Sequence, residues 1–276
     1  MAWHAQLDLD YSRQANRSVL RHRHTGPLRI LQSLYPEGDS ICHNIMVHPP
    51  GGLVGGDILD INIAVGKGAH GLLTTPGATR FYRSEGAQAL QNVSVQIAGG
   101  GRLEWLPLET ICYNGCLAEN RLHMTLQPGA ELLGWDVTAF GLPAAAKPFM
   151  QGSFCQHIEM QGLWLERAHI KGSDQLLMES PLGMAGHRCI GSLFFVAGNK
   201  LDRQRRQHAL DSARAIIESH SLCASAGATS PDSQIVVLRV LAPVVEPAMQ
   251  LLRQVWQIWR SEMWKLEPNA PRIWAT

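Results

Sequence analysis

The chain has 276 residues, with 24 Lys and Arg against 23 Asp and Glu, a formal net charge of +1, and 45% apolar residues. A charge so near balance supplies no pull toward nucleic acid or an anionic membrane, while the apolar share is ample for a core. No run of about eighteen uncharged apolar residues occurs, because Asp136 interrupts the stretch 132–146 and the run 190–198 is too short to span a bilayer.

In chain order, strand-like pieces at 6–11 and 28–34 flank a basic loop, and Arg13, Arg17, Arg21, Arg23 and Arg29 gather there. A transit leader is argued against by Asp8 and Asp10, and the N-terminus lacks an apolar signal core, so a cytoplasmic protein is expected. Residues 48–86 follow, where His48, two prolines and four glycines precede Asp57 and hold it on a tight bend. The run 58–65 then alternates, with Ile61, Ile63 and Val65 on one side and Asp60, Asn62 and Ala64 on the other, the period of a half-buried strand. A second strand, 71–75, ends at the Pro76-Gly77 turn.

Short strands recur at 91–97, 102–106, 121–126, 131–138, 157–160 and 163–170, separated by Gly99-Gly100-Gly101, Pro128-Gly129 and Gln161-Gly162. This spacing predicts an antiparallel meander, a sandwich or a stacked β-helix-like ladder, with no helix before residue 200. The last quarter differs: a helix over 204–220, a Ser/Ala/Gly-rich connection over 221–233, a strand over 234–241, and a helix from Pro247 to about Trp264. That second helix places Met249, Leu252, Val255, Trp256, Trp259 and Met263 on one broad face. The fold expected is one mainly β unit over 1–276, a strand-rich extended or β-helix-like body (1–200) carrying a small helix–strand–helix element (201–276). Trp256, Trp259, Trp264 and Trp274 read chiefly as core, with one or two available to a partner.

The segments HPPGGLVGGD and LLTTPGATRFYRSEG resemble the urease accessory proteins of the D type, called H in some bacteria. The resemblance continues at WLPLETICYNG (105–115), WDVTAFGLPAAAKPF (135–149) and PRIWAT (271–276), in the family's order and over nearly the whole chain. Many members carry Gly-Arg-Pro where this chain has Gly141-Leu142-Pro143, so a role for that arginine does not transfer. The resemblance implies a non-enzymatic scaffold that bridges apo-urease to the F-type and, through it, the G-type accessory protein and helps deliver nickel, with no tightly bound cofactor.

Independent of that likeness, several motifs are missing. GGLVGGD lacks the G-x-G-x-x-G spacing, no G-x-x-x-x-G-K-[ST] loop occurs, and no G-x-S-x-G elbow is present. Of the metal candidates, His22-x-His24 sits among arginines that repel a cation, Cys42-His43 is a bare pair, and Cys112 and Cys116 flank an Asn-Gly turn but read more simply as buried thiols. None of the six cysteines forms a C-x-x-C pair, and reduced thiols are expected.

The more informative pattern is polar groups set among apolar or glycine-rich neighbours: Asp57, Thr74, Thr75, Thr79, Glu109, Asp136 and Glu166. A carboxylate removed from water must meet a cation, hydrogen-bond donors or water. Each could instead be accounted for by a buried ion pair or a strand-end hydrogen bond, Glu166 with Arg167 or Arg80 for instance. Taken together they suggest an internal polar passage whose oxygen groups hand a divalent ion along without trapping it. Two other readings compete: a metal-dependent hydrolase using His48 and Asp57, and an interaction module without an ion path.

Overall fold

A computed structural model describes residues 2–275. The chain begins with an antiparallel hairpin, β1 (His4–Gln14) and β2 (Arg17–Thr25), followed by β3 (Arg29–Ile30) paired with β4 (Cys42–Val47). From β4 onward it winds in coils, each placing one strand in each of two facing sheets. The strands β5 (Ile58–Val65), β8 (Ala89–Ile97), β11 (Leu117–Leu126) and β14 (Ser153–Met160) stack in parallel in the first sheet. In the second, β4, β6 (His70–Thr74), β9 (Arg102–Leu106) and β12 (Glu131–Leu142) do the same. A short third row, β7 (Thr79–Phe81) beside β10 (Thr110–Cys112) beside the end of β12, closes one side, and β13 (Lys147–Pro148) leaves β12 at a tight turn.

The stack ends in antiparallel strands. In the first sheet β15 (Trp164–Lys171) pairs with β14, and after α1 (Gln175–Glu179) the second sheet is extended by β16 (Cys189–Ala197) on β12. Then come α2 (Arg203–Ser219), the hairpin β17 (Ala226–Asp232) and β18 (Ile235–Ala242) on β16, and α3 (Val245–Trp264).

The layering explains the burial patterns. The first sheet is covered on one face only, so β5 alternates with Leu59, Ile61, Ile63 and Val65 buried. The second lies between the first sheet and the helices, so β6 is buried throughout and β16 nearly so. One apolar core fills the space between the sheets, and another lies between the second sheet and α2 and α3. The expected buried face of α3 is the observed one, with Met249, Leu252, Val255, Trp256, Trp259 and Met263 all within the second core.

The coils are joined by matching turns in which Ala69, Gly101 and Ala130 donate their amides to Gly66, Ala98 and Gln127 at 3.1, 2.9 and 2.9 Å. The residue before each donor, Gly68, Gly100 or Gly129, has a φ of +67, +73 or +82°. A side chain there meets the following carbonyl, at about 1–2 kcal/mol. Gly100→Ala is therefore expected to lower the unfolding free energy by about that amount, read as a lower urea midpoint at unchanged m-value.

Four expectations need correction. The basic loop contains β2, whose pairing with β1 turns a run of exposed arginines and histidines into an edge strand. The strand at 28–34 is reduced to β3 and a bridge from Leu34 to His43. The connection 221–233 contains β17, which pairs β18 with a bulge despite its small residues. A helix does precede residue 200: α1 is a single turn whose start is capped by Asp174 Oδ1 accepting from Leu177 N at 3.0 Å.

A buried charge cluster pins α3 to the second sheet. Glu104, wholly buried on β9, accepts from Arg260 Nε at 3.2 Å to each oxygen, from Trp256 Nε1 at 2.9 Å and from His70 Nε2 at 3.2 Å. Arg260, equally buried, also donates to Glu37 at 2.6 Å and to the Glu267 carbonyl, and Glu37 accepts from His43 at 2.7 Å. Burial alone raises the Glu104 pKa, but the His70 hydrogen bond, the Arg260 charge and the Trp256 donor outweigh it and bring it to about 2. Past the helix, Trp274 packs between Trp135 and Trp256, with ring centroids 5.2 and 5.4 Å away, and donates to Thr74 Oγ1 at 2.8 Å.

Candidate functional site

Side chains alternate along a strand, so those that share a face with the core residues Val93, Leu122 and Ile158 include Gln91, Asn120 and Gln156, two positions earlier on β8, β11 and β14. The parallel register sets these three side by side, Gln91 beside Asn120 and Asn120 beside Gln156, forming a polar row within the apolar space between the sheets. The third row answers it with Thr79, Thr110 and Thr138, also in register. Asp136 lies two residues before Thr138 on β12.

The rows meet directly. Asn120 Nδ2 donates to Thr110 Oγ1 at 3.2 Å, and Asp136 Oδ1 accepts from Gln156 Nε2 at 2.5 Å and Thr138 Oγ1 at 3.5 Å. Between them is a cavity of about 20 Å³ lined by Thr79, Gln91, Thr110, Asn120 and Asp136, room for about one water-sized occupant. Thr79 and Gln91 also line a second cavity of about 180 Å³ that reaches Thr75, Arg80 and His48. Two features there call for a polar occupant. Asn120 Oδ1 is buried without a hydrogen-bond partner, and burial raises the Asp136 pKa to about 6 against the pull of its two neutral donors. In the other direction the register continues from Asp136 to Ser192 on β16 and Arg239 on β18, and Arg239 is paired with Glu166.

The seven sequence candidates thus occupy different places. Asp136, Thr79 and Thr75 line the two cavities, and Thr75 Oγ1 also accepts from Leu108 N at 2.9 Å. Glu166 lies at the Arg239 end, and Arg239 is the partner where Arg167 or Arg80 was expected. Asp57 holds the glycine bend, its two oxygens accepting from Trp3 N at 2.8 Å and Val54 N at 2.9 Å. Thr74 donates to the Leu106 carbonyl at 2.7 Å and contacts Trp274 beneath the helices, and the charge of Glu109 acts on Cys189 and Arg253 on that same side. Gln91, Asn120, Gln156, Thr110 and Thr138 were missed. Their signal is a lone polar residue at an inward position of three successive strands.

The other metal candidates are accounted for by their neighbours. His22 and His24 are exposed and stacked at 6.3 Å, with His24 hydrogen-bonded to Arg29. Cys42 and His43, adjacent on one strand, point to opposite faces, the thiol to Asn44 and the imidazole to Glu37. Cys112 and Cys116 are buried, free thiols on either side of the turn at Asn114-Gly115. His48 lines the larger cavity, its pKa lowered by burial against the opposing charge of Asp57. No described helix is long and apolar enough to cross a membrane.

Parallel coils around an apolar core that encloses a polar row, closed on one side by a helical layer, define a β-solenoid-like fold. The chain belongs to the family described as UreD urease accessory protein, whose profile matches residues 4–275. It is similar to proteins named urease accessory protein UreD from a Polaromonas species (70% identity), Polaromonas naphthalenivorans (68%) and Variovorax paradoxus (65%), the alignments covering 100% of both chains in each case. The family is one of accessory proteins and not of enzymes, which sets aside the hydrolase reading of His48 and Asp57.

Proposed function

We propose that this chain is a cytoplasmic scaffold that bridges apo-urease to the F-type and G-type accessory proteins and conducts nickel, as cargo and not as a resident cofactor, along the polar interior. The observation that carries the reading is the in-register pair of rows, Gln91–Asn120–Gln156 facing Thr79–Thr110–Thr138, with Asp136 as the charged group between them. Neutral oxygens with one carboxylate suit a divalent ion in passage, because several thiolates or imidazoles would retain it. The exposed Leu176 and Leu182, on the excursion between β15 and β16, are apolar groups that a partner would cover.

The test is reconstitution from apo-urease, nickel and the accessory proteins, each omitted in turn, with urease activity and nickel per urease site as readouts. Omission of this chain is expected to abolish activation. Asn120→Leu, close in volume but without the polar group, is expected to leave the accessory complex intact and to reduce nickel per site. Full nickel loading with that variant and with Asp136→Ala would leave the interaction module without an ion path as the surviving reading.

A further inference from the structure

On the outward face of the first sheet, opposite to the polar interior, β11 and β14 bring together three groups. His157 and Glu159 are alternate residues of β14 and share its outer face, and the parallel register places His123 of β11 directly beside Glu159. His157 Nε2 lies 2.9 Å and His123 Nδ1 3.4 Å from Glu159 Oε2, and the two imidazole centroids are 4.8 Å apart. One ligand atom from each residue falls within 4.8 Å of the others, the one such triple of His, Cys, Asp or Glu among the described residues.

We infer that His123, His157 and Glu159 form a binding site for a borderline divalent transition metal, nickel, zinc or copper, on the outer face of the sheet and separate from the interior passage. The chemistry of the donors argues for it: two imidazoles and one carboxylate are a set that such ions take, and hard ions such as magnesium and calcium are instead held by oxygen. The spacing agrees. Donors about 2.0–2.2 Å from a tetrahedral ion stand about 3.3–3.5 Å from one another, so closing the triangle needs only rotamer adjustment of side chains that are partly exposed.

The surroundings leave room for an ion. Arg121, in register with His157 on β11, is drawn away by Glu119, which accepts from its guanidinium at 2.7 and 3.1 Å. Arg167 stands beside His157 on the other side and tempers the affinity by like charge. Three protein donors leave the remaining positions to solvent, so the ion exchanges with the medium.

The experiment is equilibrium dialysis of the full chain, carried on a fusion partner free of histidine tags, against NiCl2, ZnCl2 and MgCl2. X-ray absorption follows on the nickel-loaded protein. One equivalent of nickel or zinc is expected, with imidazole scattering in the absorption spectrum and no competition by magnesium. His123→Asn and His157→Asn should each weaken binding by at least about tenfold, and Asp136→Asn should not change this site. Glu159→Gln tests the carboxylate, and thermal melting of every variant confirms the fold. The inference is overturned if the wild-type chain binds neither ion, if the double His variant binds as the wild type does, or if the spectrum lacks imidazole. None of these results bears on the passage, whose readout is nickel per urease site.

Discussion

Glu104→Gln is expected to lower the stability of the chain by about 3–5 kcal/mol, the range for breaking a buried ion pair by removing one partner. The change keeps the volume and the acceptor oxygen toward Trp256, yet it leaves Arg260 buried beside a neutral amide, with Glu37 as its one remaining carboxylate. Because Arg260 and Trp256 tie α3 to Glu104 of β9, the helical layer should loosen first, seen as faster amide exchange in α3 than in β8 or β11. The acid limb has a definite sign. Glu104 is held at about 2, below its ordinary value of 4.5, so its contribution is complete above about pH 4.5 and is lost as pH falls toward 2. The wild-type and Glu104→Gln curves should therefore converge in strong acid. A melting temperature unchanged at neutral pH would show that the cluster adds nothing to stability.

Asp136 is expected to behave in the opposite way. Its pKa is raised from 3.8 to about 6, so the folded state favours the protonated acid. Ionisation then removes stability as pH climbs between those two values, by about 1–3 kcal/mol once partial contact with the cavity is allowed for. Asp136→Asn should accordingly melt higher than wild type at pH 7.5 and equally at pH 3.5. In the reconstitution, Asp136→Ala and Asp136→Asn should assemble with the partners yet slow nickel arrival about tenfold, the effect of losing a charge contact worth about 1.4 kcal/mol to an ion in transit. A more stable variant that delivers less nickel would assign the charge to transport. Normal delivery by both variants would return Asp136 to a structural role, as would failure of the variants to assemble.

Much of the coil body was legible from local pattern. The run 58–65 alternates because its outer face meets water, and it forms β5 with the expected residues buried; the Gly99-Gly100-Gly101 and Pro128-Gly129 signals mark real turns between coils. The helix ending at Trp264 was legible for the same kind of reason, its apolar face recurring at helical spacing. Beside β2 and β17, two strands of the doubly covered second sheet escaped. CHNIMV and CIGSLFFVA show no alternation, so β4 and β16 carry no period to read. The polar rows escaped for a different reason: Gln91, Asn120 and Gln156 are each unremarkable alone, and only a parallel register between strands some thirty residues apart makes them neighbours. Asp136 and Thr79 were found because an acid or a hydroxyl among apolar residues is conspicuous locally. Asp57 and Glu166 drew notice on that same signal and meet backbone amides and Arg239.

The contacts of Arg260 with Glu104 and of Trp274 with Thr74 join residues to strands made far earlier in synthesis. During synthesis the coils leave the ribosome well before their cover exists. Until the segment carrying Arg260 and Trp274 has emerged, the helix-facing side of the second sheet, with Leu72, Leu106, Leu133 and Trp135, is open to solvent beside a carboxylate that lacks its arginine. Closure is therefore a late event in the life of each molecule, and the nascent chain passes through an aggregation-prone interval that a holding chaperone would shorten. Removing Trp274 would uncover Trp135 and Trp256 and leave Thr74 Oγ1 without that donor, rather than trim a loose end.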